Sequence, residues 1–325
     1  MRYEGWHRAL DVQMETHKWA ISDFGLKIDT AVMESLLSGD AHVQNTNPAI
    51  TRDAGIMAHN YAESLWRGDT IFITKEMMSL ITQAAEDLPD EATHLDTKIL
   101  MSDYGFVLFE EPLRGRDKHD KTMLIHSLAW QTSLIGAPRE DNPTPSKATV
   151  VYYMVDPYDN EDEYNLESTK ELLDSGMKFP PMALQHIYPW KEGDALPFHR
   201  REQAGVDMII DSLKIFLAMH MLSHQSIGTP VRLRPDRAAR KRYAREHPGL
   251  PERLITLITL RRKSAPTDKP VGSVEWQRRW VVRGHWRRQY YPKTKTHGWK
   301  YIYEHVKGPE DKPLVTGRRV FNFRR

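Results

Sequence analysis

The stretch VEWQRRWVVRGHWRRQYYP, residues 274–292, restricts this chain more than any other feature, because aromatic and cationic residues alternate through it with period two. Only an extended strand sorts such a pattern onto two faces. One face carries Trp276, Arg278, Trp280, Val282, Gly284, Trp286, Arg288 and Tyr290. The other carries Gln277, Arg279, Val281, Arg283, His285, Arg287 and Gln289. The first set is suited to packing and the second to meeting phosphate. A turn through Pro292–Gly298 then leads to WKYIYEHVK, where Trp299, Tyr301, Tyr303, His305 and Lys307 share a face. Aromatic pairs across strands stabilise a hairpin. Tryptophans alternating in a strand are ordinarily core, so Trp276, Trp280, Trp286 and Trp299 are expected to be mostly buried.

The charge distribution extends this reading. Residues 231–325 hold 26 Lys+Arg against 8 Asp+Glu, whereas residues 1–230 hold 20 against 36. A chain divided in this way points to a polyanion as partner of its basic part. The sign changes near Gly228–Pro230, which places an acidic domain at 1–229 and a basic, strand-rich module at 230–325. The expected fold is α+β: an N-terminal antiparallel sheet with helices, followed by a small, twisted, basic antiparallel sheet.

Upstream, Asp29 reads as the cap of a helix carrying Val32, Met33, Leu36 and Leu37 and stopped by Gly39. A second helix starts near Pro48, with Met57, Tyr61 and Leu65 on one face and Gly68 as its stop. TIFIT at 70–74 reads as a strand, and Thr74 as the cap of a helix carrying Met77, Leu80, Ile81 and Ala84. Three antiparallel strands are expected over 98–155. DPYDNEDEYNLE at 156–167 reads as an acidic surface loop, and 206–224 as the most apolar helix. PDRAARKRYARE at 235–246 reads as a short basic helix with Pro235 or Asp236 at its start and Arg237, Lys241 and Arg245 along one face. RLITLITLRRK follows as a strand.

Several chemistries are excluded or disfavoured. The chain has no cysteine, which removes disulfides, thiolate metal sites and cysteine nucleophiles and fits a reducing compartment. The first residues lack an uninterrupted apolar run, and the longest apolar stretch, Ile215–Leu222, is too short to span a bilayer. A cytoplasmic protein without membrane contact is expected. No P-loop, dinucleotide fingerprint or nucleophile elbow is present, and no cofactor is expected. His220 and His224 stand four apart on a helix, but no glutamate occupies the zincin position, so a structural role is expected and no metal. His119 and His126 follow no metal-binding pattern.

The leading expectation is nucleic-acid binding, to DNA or RNA, through Arg237, Lys241, Arg245, Arg279, Arg283, His285, Arg287, Lys293, Lys295 and Lys300. A ribbon with a basic face and a Lys-rich tip suits a groove, and aromatics among cations suit unpaired bases. One alternative is a metal-independent ribonuclease in which His285 shuttles a proton and Arg283 and Arg287 stabilise the phosphate. Another is an interaction or inhibitory protein whose ribbon docks on an acidic protein. The acidic segment around Glu161–Glu163 also admits self-docking or head-to-tail pairing as a homodimer.

The segment RRWVVRGHWRRQYYPKTKTHGWKYIYEHVKGPEDKPLV resembles the C-terminus of a group of proteins from actinobacteria, their plasmids and their phages. The shared pattern is Val-x-Gly-His-Trp-Arg-x-Gln-x-Tyr-Pro, a histidine turn, then Lys-Gly-Pro-Glu-Asp-Lys-Pro-Leu. The LITLRRK strand and the upstream DYGFVLFEEPL are similar too. The resemblance implies a bacterial or phage origin and a mobile-element setting, and supplies no catalytic residues.

Overall fold

The computed structural model describes residues 5–38, 48–116, 121–135, 146–159, 161, 170–171, 174–176, 178–196, 206–225, 228–260, 277–309 and 311–314. Trp276, Gly39, His119 and Glu163 lie outside this set. The fold is α+β, as the residue patterns indicate. Three helices come first: α1 (Ala9–Ala20), α2 (Asp23–Ser38) and α3 (Pro48–Arg67). Strand β1 (Asp69–Ile73) and helix α4 (Lys75–Glu86) follow, with the Thr74 hydroxyl accepting from the Met77 N–H at the start of α4. That bond satisfies one of the free donors of a helix N-terminus. The next strands are β2 (Tyr104–Arg116), β3 (Thr122–Ile135), β4 (Ser146–Val155) and β5 (Ala183–Lys191).

The chain then forms the apolar helix α5 (Val206–Ser223), strand β6 (Gly228–Leu233), helix α6 (Arg237–Glu246) and strand β7 (Ile255–Leu260). Four short strands close the described part: β8 (Trp280–Val282), β9 (His285–Tyr291), β10 (Thr296–Ile302) and β11 (His305–Lys307). β5-β4-β3-β2-β1-β7-β6 is the order of a seven-stranded sheet, and β9/β10 and β8/β11 are two-stranded sheets.

The main sheet is mixed, which corrects the expectation of a purely antiparallel one. β1 runs parallel to both β2 and β7, and the other pairs are antiparallel. The pairing also crosses the charge boundary near residue 229, because β6 and β7 complete the sheet begun by β1–β5. β1 therefore lies inside the sheet, and its near-continuous apolar run, Ile71-Phe72-Ile73, is buried on both faces, as covered parallel strands require. Phe72 faces a core with α1, α3, Phe106, Tyr152 and Ile255. Ile71 and Ile73 face the opposite core with α4, α5, Val107, Trp130 and Phe216. Gly105 of β2 leaves room for the Trp130 ring, where a Cβ would collide with the indole.

Two further readings are corrected. Asp29 caps nothing. α2 begins at Asp23, where the Ser22 hydroxyl accepts from the Gly25 N–H, and Asp29 is buried inside the helix. The long alternating run is not one strand either. It breaks at Arg283–Gly284 between β8 and β9, so only part of the expected two-face pattern is continuous.

Candidate functional site

The β9/β10 hairpin is built from its anchored side outward. Trp286 and Tyr301 are cross-strand partners, and their rings meet edge-on with centroids 5.2 Å apart. Both are buried in the core formed with α4 and α5. The Trp286 indole N–H donates to the Ala84 carbonyl at 2.7 Å, and the Tyr301 backbone N–H donates to Gln225 Oε1 at 2.9 Å. These two N–H groups are thereby tied to a helix or its end rather than to the hairpin itself, whereas the buried Tyr301 hydroxyl has no partner among the described residues. Gly284 lies against the Tyr301 phenol, and a Cβ there would collide with it. Burial, and secondarily the Asp87 carboxylate, push the Tyr301 hydroxyl up to about 12. Trp280 and Trp299 are half-buried.

The opposite face of the hairpin is partly exposed, with His285, Arg287, Tyr291 and Thr296 open and Gln289, Gly298, Lys300 and Ile302 half-buried. It carries His285, Arg287, Gln289 and Tyr291, paired in register with Ile302, Lys300, Gly298 and Thr296. Arg287 thus stands directly opposite Lys300, an arrangement of like charges that is unfavourable in isolation. The Arg287 guanidinium bonds to Gln289, and neither Arg287 nor Lys300 meets a carboxylate among the described residues. Lys293 and Lys295 lie exposed at the turn, where Lys295 adopts φ 54°. The C-terminal segment also exposes apolar groups: Tyr291 is 41% exposed, Tyr303 47%, Val306 50% and Leu314 39%.

The other sequence-derived site residues divide into two groups. Arg279 Nε donates to the Lys312 carbonyl at 2.8 Å. Arg283 pairs with Asp87, just beyond α4, at 3.3 Å. These two are engaged within the protein. The His285 ring meets the Arg283 carbonyl through Nδ1 at 3.1 Å, so the proposed catalytic trio is directed to separate partners rather than to one reacting centre.

Arg237, Lys241 and Arg245 lie on the exposed side of α6, which Asp236 caps by accepting from the Ala239 N–H at 2.7 Å. They form no ion pair among the described residues. The inner side of α6 is bonded to the first helix: Arg242 pairs with Asp11 at 2.6 Å and Glu246 with Lys18 at 2.6 Å. Tyr243 is buried in the core that contains α1 and α3. The helix and the hairpin therefore pack against opposite faces of the main sheet, which separates Arg237, Lys241 and Arg245 from the hairpin cations.

His220, His224 and His126 are bonded within the fold. His220 is fully buried, accepts from the Met101 N–H at 3.1 Å, and is held at about 3 by burial. His224 Nε2 donates to the Ile99 carbonyl at 2.8 Å. His126 accepts from the Asp156 N–H at 3.0 Å and bonds Asp159 at 2.9 Å. Among the described residues, no cluster of three or more His, Asp or Glu could hold a metal ion, and no helix is long and apolar enough to cross a membrane. Glu161 pairs with Arg114 of β2 at 2.6 Å.

One concavity escaped the sequence reading. A cleft of about 670 Å³ opens at the end of the main sheet where β1 and β7 begin, lined by Trp66, Arg67, Tyr104, Arg232, Tyr243 and Arg253, among others. These residues come from α3, β2, β6, α6 and the loop before β7, so no local motif could have revealed them.

No family model matches the chain. No curated protein matches it. Among solved structures, the one titled "Crystal structure of AcrVA2" is similar to this chain with a TM-score of 0.40 and 14% sequence identity, over 92% of this chain and 93% of that one. A likeness of that size assigns neither activity nor partner.

Proposed function

We propose that this chain is a binding protein whose C-terminal hairpin docks on an acidic protein surface and acts by occupying it, in a phage or mobile-element setting. The observation that carries this reading is the pair Arg287 and Lys300, directly opposite each other and without a carboxylate partner among the described residues, with exposed Tyr291 on the same strand as Arg287 and exposed Tyr303, Val306 and Leu314 elsewhere in the C-terminal segment. The cations call for negative charge opposite them. The exposed apolar groups gain only from a partner that also covers them, which a protein surface provides and a phosphate backbone does not. Tyrosine and arginine together are the residue types that most often anchor protein interfaces.

A second reading, nucleic-acid binding, is favoured by the cations of the hairpin face and by the separate row Arg237, Lys241 and Arg245. The two readings differ in salt dependence, because binding through many phosphates weakens steeply with salt. Fluorescence anisotropy with a labelled acidic peptide containing leucine and tyrosine, and in parallel with single-stranded RNA and duplex DNA, separates them. The expected result is saturable peptide binding that weakens at least about tenfold in the Arg287→Glu/Lys300→Glu variant. Tighter binding to RNA or DNA, with a steep salt slope and the same loss in the variant, would transfer the function to the second reading.

A further inference from the structure

We infer that the cleft at the start of β1 and β7 is a binding site for a small organic oxyanion, a phosphate monoester or a carboxylate, held by Arg253 and Arg232 with Arg67 at its wall. This inference is independent of the hairpin. The cleft has the volume of a site for a compact metabolite.

Two of its arginines, Arg253 and Arg67, are positioned before any ligand arrives. The Arg253 guanidinium lies 5.7 Å from the Trp66 ring centre and 5.8 Å from that of Tyr243. It also donates one N–H to the Gly68 carbonyl at 2.9 Å. The rings and the carbonyl fix its plane while leaving further donors unused among the described residues. Arg67 is held in the same way, 5.0 Å from the Tyr104 ring centre and bonded to the Tyr104 hydroxyl at 3.1 Å. A planar guanidinium held on an aromatic face is a preorganised fork for two oxygens of an anion.

The charges around the cleft leave this capacity open. Glu63 pairs with Arg67 at 3.2 Å, so Arg67 contributes shape and hydrogen bonding more than net charge. Glu252 also lines the cleft, but its carboxylate is taken by Arg240 at 3.3 Å and Arg234 at 3.5 Å. Arg232, on the edge strand opposite Thr256, has no ion pair among the described residues. Asp69 is exposed in the lining and repels an anion that approaches its side. The favoured oxyanion position therefore lies between Arg232 and Arg253, on the β6/β7 side. The other end of the cleft remains for the organic body of the ligand.

Isothermal titration of the full-length protein tests the site with three probes: inorganic phosphate, a nucleoside monophosphate and succinate. The expected result is saturable binding of at least one organic probe, tighter than inorganic phosphate, and which probe binds distinguishes phosphate from carboxylate chemistry. Arg232→Ala should weaken that binding at least about tenfold while leaving the thermal midpoint unchanged, since Arg232 is exposed and unpaired. Arg253→Lys keeps the charge but loses the fork, and should weaken binding with the fold confirmed by circular dichroism. No saturable binding of any probe at millimolar concentration would overturn the inference. So would binding that is unchanged in both variants.

Discussion

Asp29 illustrates what a single buried group does to the stability of this chain. Its carboxyl is 2% exposed within α2, and burial pushes it up to about 8. In the unfolded chain the same group ionises near the ordinary aspartate value of 3.8. The folded state therefore holds a proton that the unfolded state has released, and folding loses stability as pH rises between those values, by at most about 1.4 kcal/mol per unit. His17 and His186, held at about 4 by burial, and His220 at about 3, act in the opposite sense on the acid side. They bind protons in the unfolded state below the usual 6.5, so their contribution is lost as pH falls. Between about pH 6.5 and 8 the carboxyl acts without this opposition. Urea denaturation should show wild-type stability falling across that interval, and Asp29→Asn should flatten the slope and be the more stable protein at pH 8. A slope unaltered by the substitution would mean that Asp29 is solvated.

The hairpin depends on few contacts, and Trp286 is the largest. Truncation to alanine removes its packing in the core and its bond to the Ala84 carbonyl, a loss of about 3–5 kcal/mol by analogy with other buried aromatics. Trp286→Ala should make the 285–302 amides exchange rapidly with deuterium, while β2 and β3 remain protected. Much at this scale was legible in the residues. Thr74 and Asp236 cap their helices through the hydroxyl and carboxylate that such positions favour, and β9 and β10 keep the period-two alternation that marks them. What local pattern could not reveal comes from remote partners. Where the alternating run stops, Arg283 pairs with Asp87, distant in sequence, and Gly284 lies against Tyr301, neither of which local pattern shows. Asp29 reads as a cap because carboxylates usually are caps. Only the packing of α2 against the rest of the core buries it.

At the scale of the whole molecule, charge segregated along the sequence is redistributed by topology. The acidic and basic parts share one seven-stranded sheet, with β7 beside β1 and both Ile255 and Ile258 fully buried. A chain ended at residue 229 would expose one full edge of β1. It should be insoluble or lack cooperative unfolding, whereas removal of 277–325 should leave the main sheet with a sigmoidal melting transition. Cooperative unfolding of the 1–229 fragment would show that β6 and β7 are dispensable. The same topology explains why net charge alone did not locate the site. It sends Arg237, Lys241 and Arg245 to one face of the sheet and Arg287 and Lys300 to the other. The cleft around Arg253 is assembled from five separate segments, each unremarkable by itself. Photochemical cross-linking from a benzophenone side chain installed at position 291, in cells of the natural host, tests the hairpin assignment most directly. The expected result is a nuclease-resistant adduct with one protein through an acidic surface, lost in the Arg287→Glu/Lys300→Glu background. Adducts that disappear on nuclease treatment, or that persist after charge reversal, would contradict it.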